Sequence, residues 1–495
     1  MSSKKRDLSN RLVKRDHRYT TRLNNPLTLL RGLLRLLHLA ISCYNLNMEE
    51  KKEDLIRETA RAPIEAIKTT VEVEKEGLKV VGKAAQFPVK KAREFWHKLG
   101  PGLTTGAADD DPSGIATYSQ QGAKYGFQLL WLAPLTFPLM AVVQEICARI
   151  GLATGRGLAA NIKKHFPRWV LLTTAGLLLV ANSFNIGADL GAMAKATQLL
   201  APAMPFWLLI FGFVVLSSLM QILISYAQYA RYLKYLALSL IVYIITAFTI
   251  KGFPWLEVLK HAFVPTLNFS REQFILITGI LGTTISPYLF FWETSQEVED
   301  KIADGKTTLT ARQEITPKDV SKMRIDVWLG MLFSNLVMFF IVAVCGATLF
   351  THGIMNINSA ADAAAALRPL AGDFSSLLFA LGIISTGLLG IPILAGSAAY
   401  AISESLGWRE GLNLRFRQAA YFYGMIILAM LIGLLMNFVG LDPMKALIYA
   451  AVINGLVAPV IMILIMLLSG RSQIMNQWVN GFWTKAVGWL TTVLM

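Results

Sequence analysis

The sequence runs to 495 residues, 54% of them hydrophobic and only 16% charged, with a mean hydropathy of +0.49. That balance excludes an ordinary soluble enzyme and predicts an all-α integral membrane protein, since short alternating barrel strands are absent from the pattern. The formal net charge of +15 follows membrane topology along the chain, so no nucleic-acid partner is expected.

Residues 1–98 form a separate polar region. Within NPLTLLRGLLRLLHLAISC, Arg31, Arg35 and His38 share one helical face and leucines the other, the pattern of an interfacial helix. The two arginines argue against a signal peptide ending at Cys43. Met48, an alternative translation start, opens a second charged amphipathic run expected to lie on the inner leaflet.

Eleven apolar runs of membrane-spanning length follow, near 102–122, 127–150, 169–195, 206–224, 233–250, 273–296, 326–350, 374–405, 417–438, 445–469 and 479–494. Lysine and arginine gather in the loops after spans 2, 4, 6, 8 and 10. The opposite loops hold only a few, such as Lys124, Lys251 and Lys260. The positive-inside bias therefore predicts a cytosolic N-terminus and an outside C-terminus. The short loops favour a bacterial plasma membrane. Cys43, Cys147 and Cys345 are too scattered for a disulfide framework or a Cys-x-x-Cys metal site.

The first span carries GAADDDPSGIATYS. Pro112 disfavours helix at Asp111, and Gly106 and Gly114 loosen the chain on either side, so this span should unwind near its middle. Unwound backbone at membrane depth needs a polar cavity, and intramembrane carboxylates mark function by default. Carbonyls and carboxylates are hard oxygen ligands for cations. The sixth span is interrupted likewise, by Gly279, Gly282, Thr283, Thr284, Ser286 and Pro287 in ITGILGTTISPYLFFWETSQEVE. Breaks at corresponding positions of two five-helix halves point to an inverted-repeat transporter with its site at the midplane.

These residues resemble the NRAMP divalent-metal transporters. Asp111-Pro112-Ser113-Gly114 is similar to that family's Asp-Pro-Gly-Asn motif, and TTISPYLFF occupies the place of its Met-Pro-His-Asn motif. The resemblance continues through PLMAVVQEICARIGLATGRGLA and NIGADLGAMAKA, from about Gly100 to Gly470, and is strongest with the magnesium-transporting branch. It implies a LeuT-type 5+5 inverted repeat with helices 1 and 6 broken. On that division, 99–250 is the first repeat, 251–470 the second and 471–495 an added helix.

The departures carry the selectivity argument. Asp111 matches the family aspartate, but Gly114 replaces the asparagine and Ser286 the methionine. Loss of the soft thioether leaves oxygen donors, which suit Mg²⁺, and two shrunken side chains leave room beside Asp111 for a partly hydrated ion. All six histidines (His17, His38, His97, His165, His261 and His352) lie outside the spans. Tyr288 and Glu293 stand where the family has histidines, and Ala192 breaks an acidic pair with Asp189. The proton relay therefore lacks members. A divalent ion gains about 4.6 kcal/mol per 100 mV from voltage alone, at roughly 2.3 kcal/mol per charge.

The candidate metal set is Asp111, Ala108, Thr283 and Ser286, with Asp110, Asp109 and Asn454 in supporting places. Capping the broken half-helix and facing the cytosolic vestibule are the alternative places for Asp109 and Asp110. Asp189 and Glu293 are candidate proton or structural residues. Glu293 and Glu404, near cytosolic helix ends, are expected to be solvated or salt-bridged, and Glu145 to pair with Arg149 four residues on. The expected function is Mg²⁺ uptake by alternating access, with Mn²⁺ as a further ion, no resident cofactor, and a monomer in the lipid bilayer. A proton-coupled Mn²⁺ or Fe²⁺ importer and a metal-sensing membrane protein are the alternatives. No nucleotide-binding run supports an ATP-driven pump or other enzyme.

Overall fold

The computed structural model describes residues 101–224, 238–267, 270–357 and 359–495. The expectations for residues 1–98, Cys43 among them, lie outside the described residues. Within them every regular element is a helix.

The first span is two helices, α1 (Pro101–Asp109) and α2 (Pro112–Tyr125). Then follow α3 (Leu132–Thr154), α4 (Leu158–His165), α5 (Arg168–Leu200), α6 (Phe206–Leu223), α7 (Ile241–Thr249) and α8 (Trp255–Phe263). The sixth span is again two pieces, α9 (Arg271–Thr284) and α10 (Pro287–Ala303). The chain continues through α11 (Leu309–Gln313), α12 (Pro317–Thr348), α13 (Ser375–Leu406), α14 (Ala420–Met436), α15 (Pro443–Ser469) and α16 (Phe482–Leu494), with short helical turns between.

Seven helices among the described residues are long and apolar enough to cross a membrane, counting α9 with α10 as one. The other four of the eleven runs are not among these seven. The first is split into pieces of 9 and 14 residues, α14 has 17 and α16 has 13. Only Ile241–Thr249 of the fifth is described as α-helix.

Both breaks are built the same way. Pro112 and Pro287 each open a helix at its first position, where a missing N–H costs nothing and the fixed φ suits the turn. The residues before them, Asp111 and Ser286, are extended.

Close helix crossings hold the broken pieces in place. α1 and α2 pack on α12, and α9 packs on α15. A Cβ at Gly106 would collide with the Gly330 carbonyl, and one at Gly282 with the backbone of Ala451 and Gly455. Small residues let helices approach where lipid supplies no hydrophobic drive. Gly106 therefore lies within a continuous helix as a contact surface, a correction to its expected role as a loosened point. Cys147 and Cys345 are buried free thiols. Glu145 pairs with Arg149 as expected and also with Arg324, and it accepts from Trp328 Nε1 at 2.8 Å, tying α3 to α12.

Candidate metal site

Asp109, Asp110 and Asp111 are all buried. The Asp111 side chain is the N-cap of α2, the place that one of the alternatives gave to Asp109 or Asp110. Its Oδ1 accepts from Ser113 Oγ at 2.6 Å and from the Gly114 amide at 2.9 Å. Its Oδ2 accepts from Asn185 Nδ2 at 2.8 Å. Asp109 turns to α12, where Oδ2 accepts from Ser334 Oγ at 2.8 Å. Neither oxygen of Asp110 has a hydrogen-bond partner among the described residues.

Asn185 is the organiser that the sequence reading missed. Its Nδ2 also donates to Asp189 Oδ2 at 3.2 Å, and its Oδ1 accepts from Asn454 Nδ2 at 3.4 Å. One amide thus joins Asp111, Asp189 and Asn454, from the first break, α5 and α15. A signal was present: Asn185 and Asp189 lie four apart, on one face of a helix. Gly390 of α13 closes this group, since a Cβ there would sit 3.0 Å from Asp111 Cβ.

The second break supplies the other candidates. The Ser286 hydroxyl folds back onto the carbonyls of Thr283 (2.7 Å) and Gly282 (3.0 Å). Tyr288 reaches across to donate to the Ala108 carbonyl at 2.9 Å. Gly114 faces the same gap, where a Cβ would stand 3.3 Å from Thr283 Oγ1 and 3.2 Å from the Asp109 carbonyl. The room expected beside Asp111 from the small residues at 114 and 286 is therefore taken up in this arrangement. Neighbouring backbone closes on Gly114, and the Ser286 hydroxyl turns onto its own helix end.

Glu293 and Glu404 are corrections. Glu293 is 0% exposed and accepts from the Thr105 hydroxyl of α1, while its Oε1 has no hydrogen-bond partner among the described residues. Glu404 is buried and accepts from the Ala160 amide at 2.7 Å and Ser295 Oγ at 3.3 Å. Both approach a helix end in sequence, but α1 covers the first and the start of α4 the second. Neither is in a salt bridge among the described residues.

The arrangement offers oxygen and amide groups around Asp111. No group of three or more His, Cys, Asp or Glu disposed to hold a metal occurs among the described residues. A cation here would thus need carbonyls, hydroxyls or water beside its carboxylate.

The natural resistance-associated macrophage protein-like (Nramp) family profile matches residues 102–495. The divalent metal cation transporter MntH of Deinococcus radiodurans is 26% identical over 426 residues, which is 85% of this chain and 91% of that protein. MntH of Bacillus subtilis is 23% identical over 434 residues, covering 84% and 94% respectively. Among solved structures, a manganese transporter of Eremococcus coleocola superposes with a TM-score of 0.62 at 19% identity, over 81% of this chain and 85% of that one. Mhp1, a nucleobase-cation-symport-1 family transporter in a closed conformation, gives 0.51 at 13%, over 80% and 91%. These structural likenesses carry the fold: all-α and LeuT-type, with the first and sixth spans broken.

Proposed function

Since the chain belongs to the Nramp family, and is a multi-pass divalent metal cation transporter and not an enzyme, we propose from that premise that its principal cargo is Mg²⁺. Mn²⁺ passes as a secondary ion, and membrane potential drives both into the cytosol without proton coupling. Transport is by alternating access about Asp111. The carbonyls of Ala108 and Thr283 and the Ser286 hydroxyl complete the site, with Asp109, Asp110 and Asn454 setting its polarity. The N-terminus is cytosolic, the two repeats are 99–250 and 251–470, and the working unit is a monomer.

One observation carries the reading. Position 286, at the tip of the second break, presents a hydroxyl seated 2.7 Å from the Thr283 carbonyl. A hard hydroxyl beside a carbonyl favours a hard cation over a soft one.

The competing reading is proton-coupled Mn²⁺ import. It draws on the manganese transporter of similar fold and on the buried Asp189, linked to Asp111 through Asn185. Proteoliposomes containing an Mg²⁺ dye and a pH dye separate the two. Mg²⁺ influx without acidification of the lumen supports the proposal. Influx restricted to Mn²⁺, accompanied by protons, overturns it.

A further inference from the structure

The nine-residue helix α8 (Trp255–Phe263) belongs neither to a membrane crossing nor to the proposed metal site. At 1.5 Å per residue it runs for about 14 Å, under half of a hydrocarbon core of roughly 30 Å. Its neighbours place it at one end of the bundle. Thr266, just beyond it, donates to the Gln128 carbonyl in the turn between α2 and α3 at 2.8 Å, and the Phe127 and His261 rings lie 6.3 Å apart. At the same end Lys124, in the last turn of α2, pairs with the exposed Glu272 in the first turn of α9. This end is opposite the lysine- and arginine-rich loops.

Successive helical residues advance by about 100°, which divides α8 into three sectors. Val258 and Ala262 are buried against the protein. Glu257, Lys260 and His261 form a polar sector. Leu256, Leu259 and Phe263 form the third, and they are 85%, 51% and 74% exposed. Apolar residues scattered singly over a surface need no explanation, whereas three on one sector, beside an apolar face that is already packed, mark a second apolar contact. The sector runs on into the surface of α7. Trp255 stacks 5.0 Å from Phe248, and Phe248 and Ile245 of α7 are themselves exposed in the fifth span. Tryptophan is the residue favoured where hydrocarbon meets water.

We propose that α8 is an interfacial helix that anchors the start of α9 to the bilayer. Its Leu256, Leu259 and Phe263 side chains enter the acyl chains of the leaflet opposite the basic loops, and Glu257, Lys260 and His261 lie among the headgroups. Lipid is the occupant for two reasons. The sector is continuous with the lipid-facing side of α7, and three side chains fall far short of the roughly 800 Å² per partner that a stable protein interface buries. The chain passes from α8 into α9, whose far end is the second break. An anchor here therefore holds the outer end of that half-helix at a fixed depth while the rest of the bundle rearranges. The proposal does not depend on which ion is carried.

The test uses the full chain in lipid nanodiscs, with Cys43, Cys147 and Cys345 replaced by alanine and a nitroxide attached at one introduced cysteine. Oxygen concentrates in acyl chains and a nickel chelate stays in water. The ratio of oxygen to nickel relaxation should be at least fivefold higher for labels at Leu256→Cys and Phe263→Cys than at Glu257→Cys and Lys260→Cys. Equal ratios at all four sites would put the helix in water, and protection of the first two from both reagents would put a protein surface, such as a second copy, over the sector; either result overturns the proposal. Uptake tests the anchor. Leu256→Asp with Phe263→Asp should lower divalent-cation uptake at least fivefold in folded, monodisperse protein, while Leu256→Trp with Phe263→Trp should retain it. Should the aspartate pair not fold, Leu256→Ser with Phe263→Ser removes the apolar sector without adding charge. Uptake at the wild-type rate in whichever of these polar pairs folds overturns the anchoring of α9.

Discussion

Asp111 offers the sharpest separation of ligand from structural role, because it is both the proposed ligand and the cap of α2. Alanine removes acceptors for Ser113 Oγ, the Gly114 amide and Asn185 Nδ2. Losing a cap costs about 1 kcal/mol. Two of the freed donors have other partners in place, since Asn185 Nδ2 also reaches Asp189 Oδ2 at 3.2 Å and Ser113 Oγ lies 3.5 Å from Thr283 Oγ1. The stability loss should therefore be about 1–2 kcal/mol. Asparagine caps a helix as well as aspartate does and has its shape, so Asp111→Asn should recover most of that loss. It does not restore the charge. At an effective dielectric constant of about 20, a carboxylate and a divalent ion roughly 3 Å apart attract by about 11 kcal/mol before desolvation. Retaining even about 3 kcal/mol of this exceeds a hundredfold in affinity. Thermal unfolding and Mg²⁺ uptake should be measured on both variants. Near-native unfolding with uptake reduced at least a hundredfold in Asp111→Asn is the expected result. Uptake at the wild-type rate in that variant would refute the ligand assignment and leave Asp111 as a cap.

Ser286→Met should lower the Mg²⁺ to Mn²⁺ rate ratio about tenfold by adding a soft donor at the second break, and an unchanged ratio would mean that Ser286 does not face the ion. Glu145→Gln should destabilise the protein by about 3 kcal/mol, because it leaves the buried Arg149 guanidinium without its carboxylate; a loss below about 1 kcal/mol on thermal unfolding would contradict that reasoning. With a potassium gradient and valinomycin setting the voltage, Mg²⁺ influx should rise as the lumen is made more negative and proceed without metal-dependent acidification; acidification at fixed voltage would instead establish proton symport.

The two breaks were legible because proline and glycine act locally: Pro112 and Pro287 each set a helix start wherever the rest of the chain lies. The capping residue was legible too in principle, since proline at the first helical position makes its predecessor the cap, which selects Asp111 over Asp109 and Asp110. What could not be read were the long-range partners. Gly106 is a contact surface only because Gly330 crosses it, and no periodicity encodes that meeting. Glu293 looked close to a helix end, but its environment is set by Thr105 on a different helix. The space beside Asp111 was inferred from side-chain sizes, whereas the observed gap depends on where Tyr288 and Ser286 point their hydroxyls.

In the proposed site the Asp111 carboxylate and the Ala108 and Thr283 carbonyls already accept hydrogen bonds, so an ion that takes them must displace protein donors. Most can turn elsewhere at small cost. Ser286 keeps the Gly282 carbonyl at 3.0 Å, and Asn185 keeps Asp189. Tyr288 has less freedom, because its ring is buried on α10 while its hydroxyl holds the Ala108 carbonyl of α1 at 2.9 Å. Freeing that carbonyl for a cation therefore calls for α10 to shift against α1. An ion that binds one arrangement of these pieces better than the other biases the equilibrium between them, as alternating access requires. Tyr288→Phe removes the competing donor and leaves the ring. Since a hydrogen bond of this kind is worth about 1 kcal/mol, apparent Mg²⁺ affinity should rise about fivefold. Maximal transport rate should fall, because the return to the closed arrangement loses its contact. Wild-type affinity in Tyr288→Phe, measured by Mg²⁺ titration on folded protein, would show that the Tyr288 hydroxyl and the ion do not compete for Ala108.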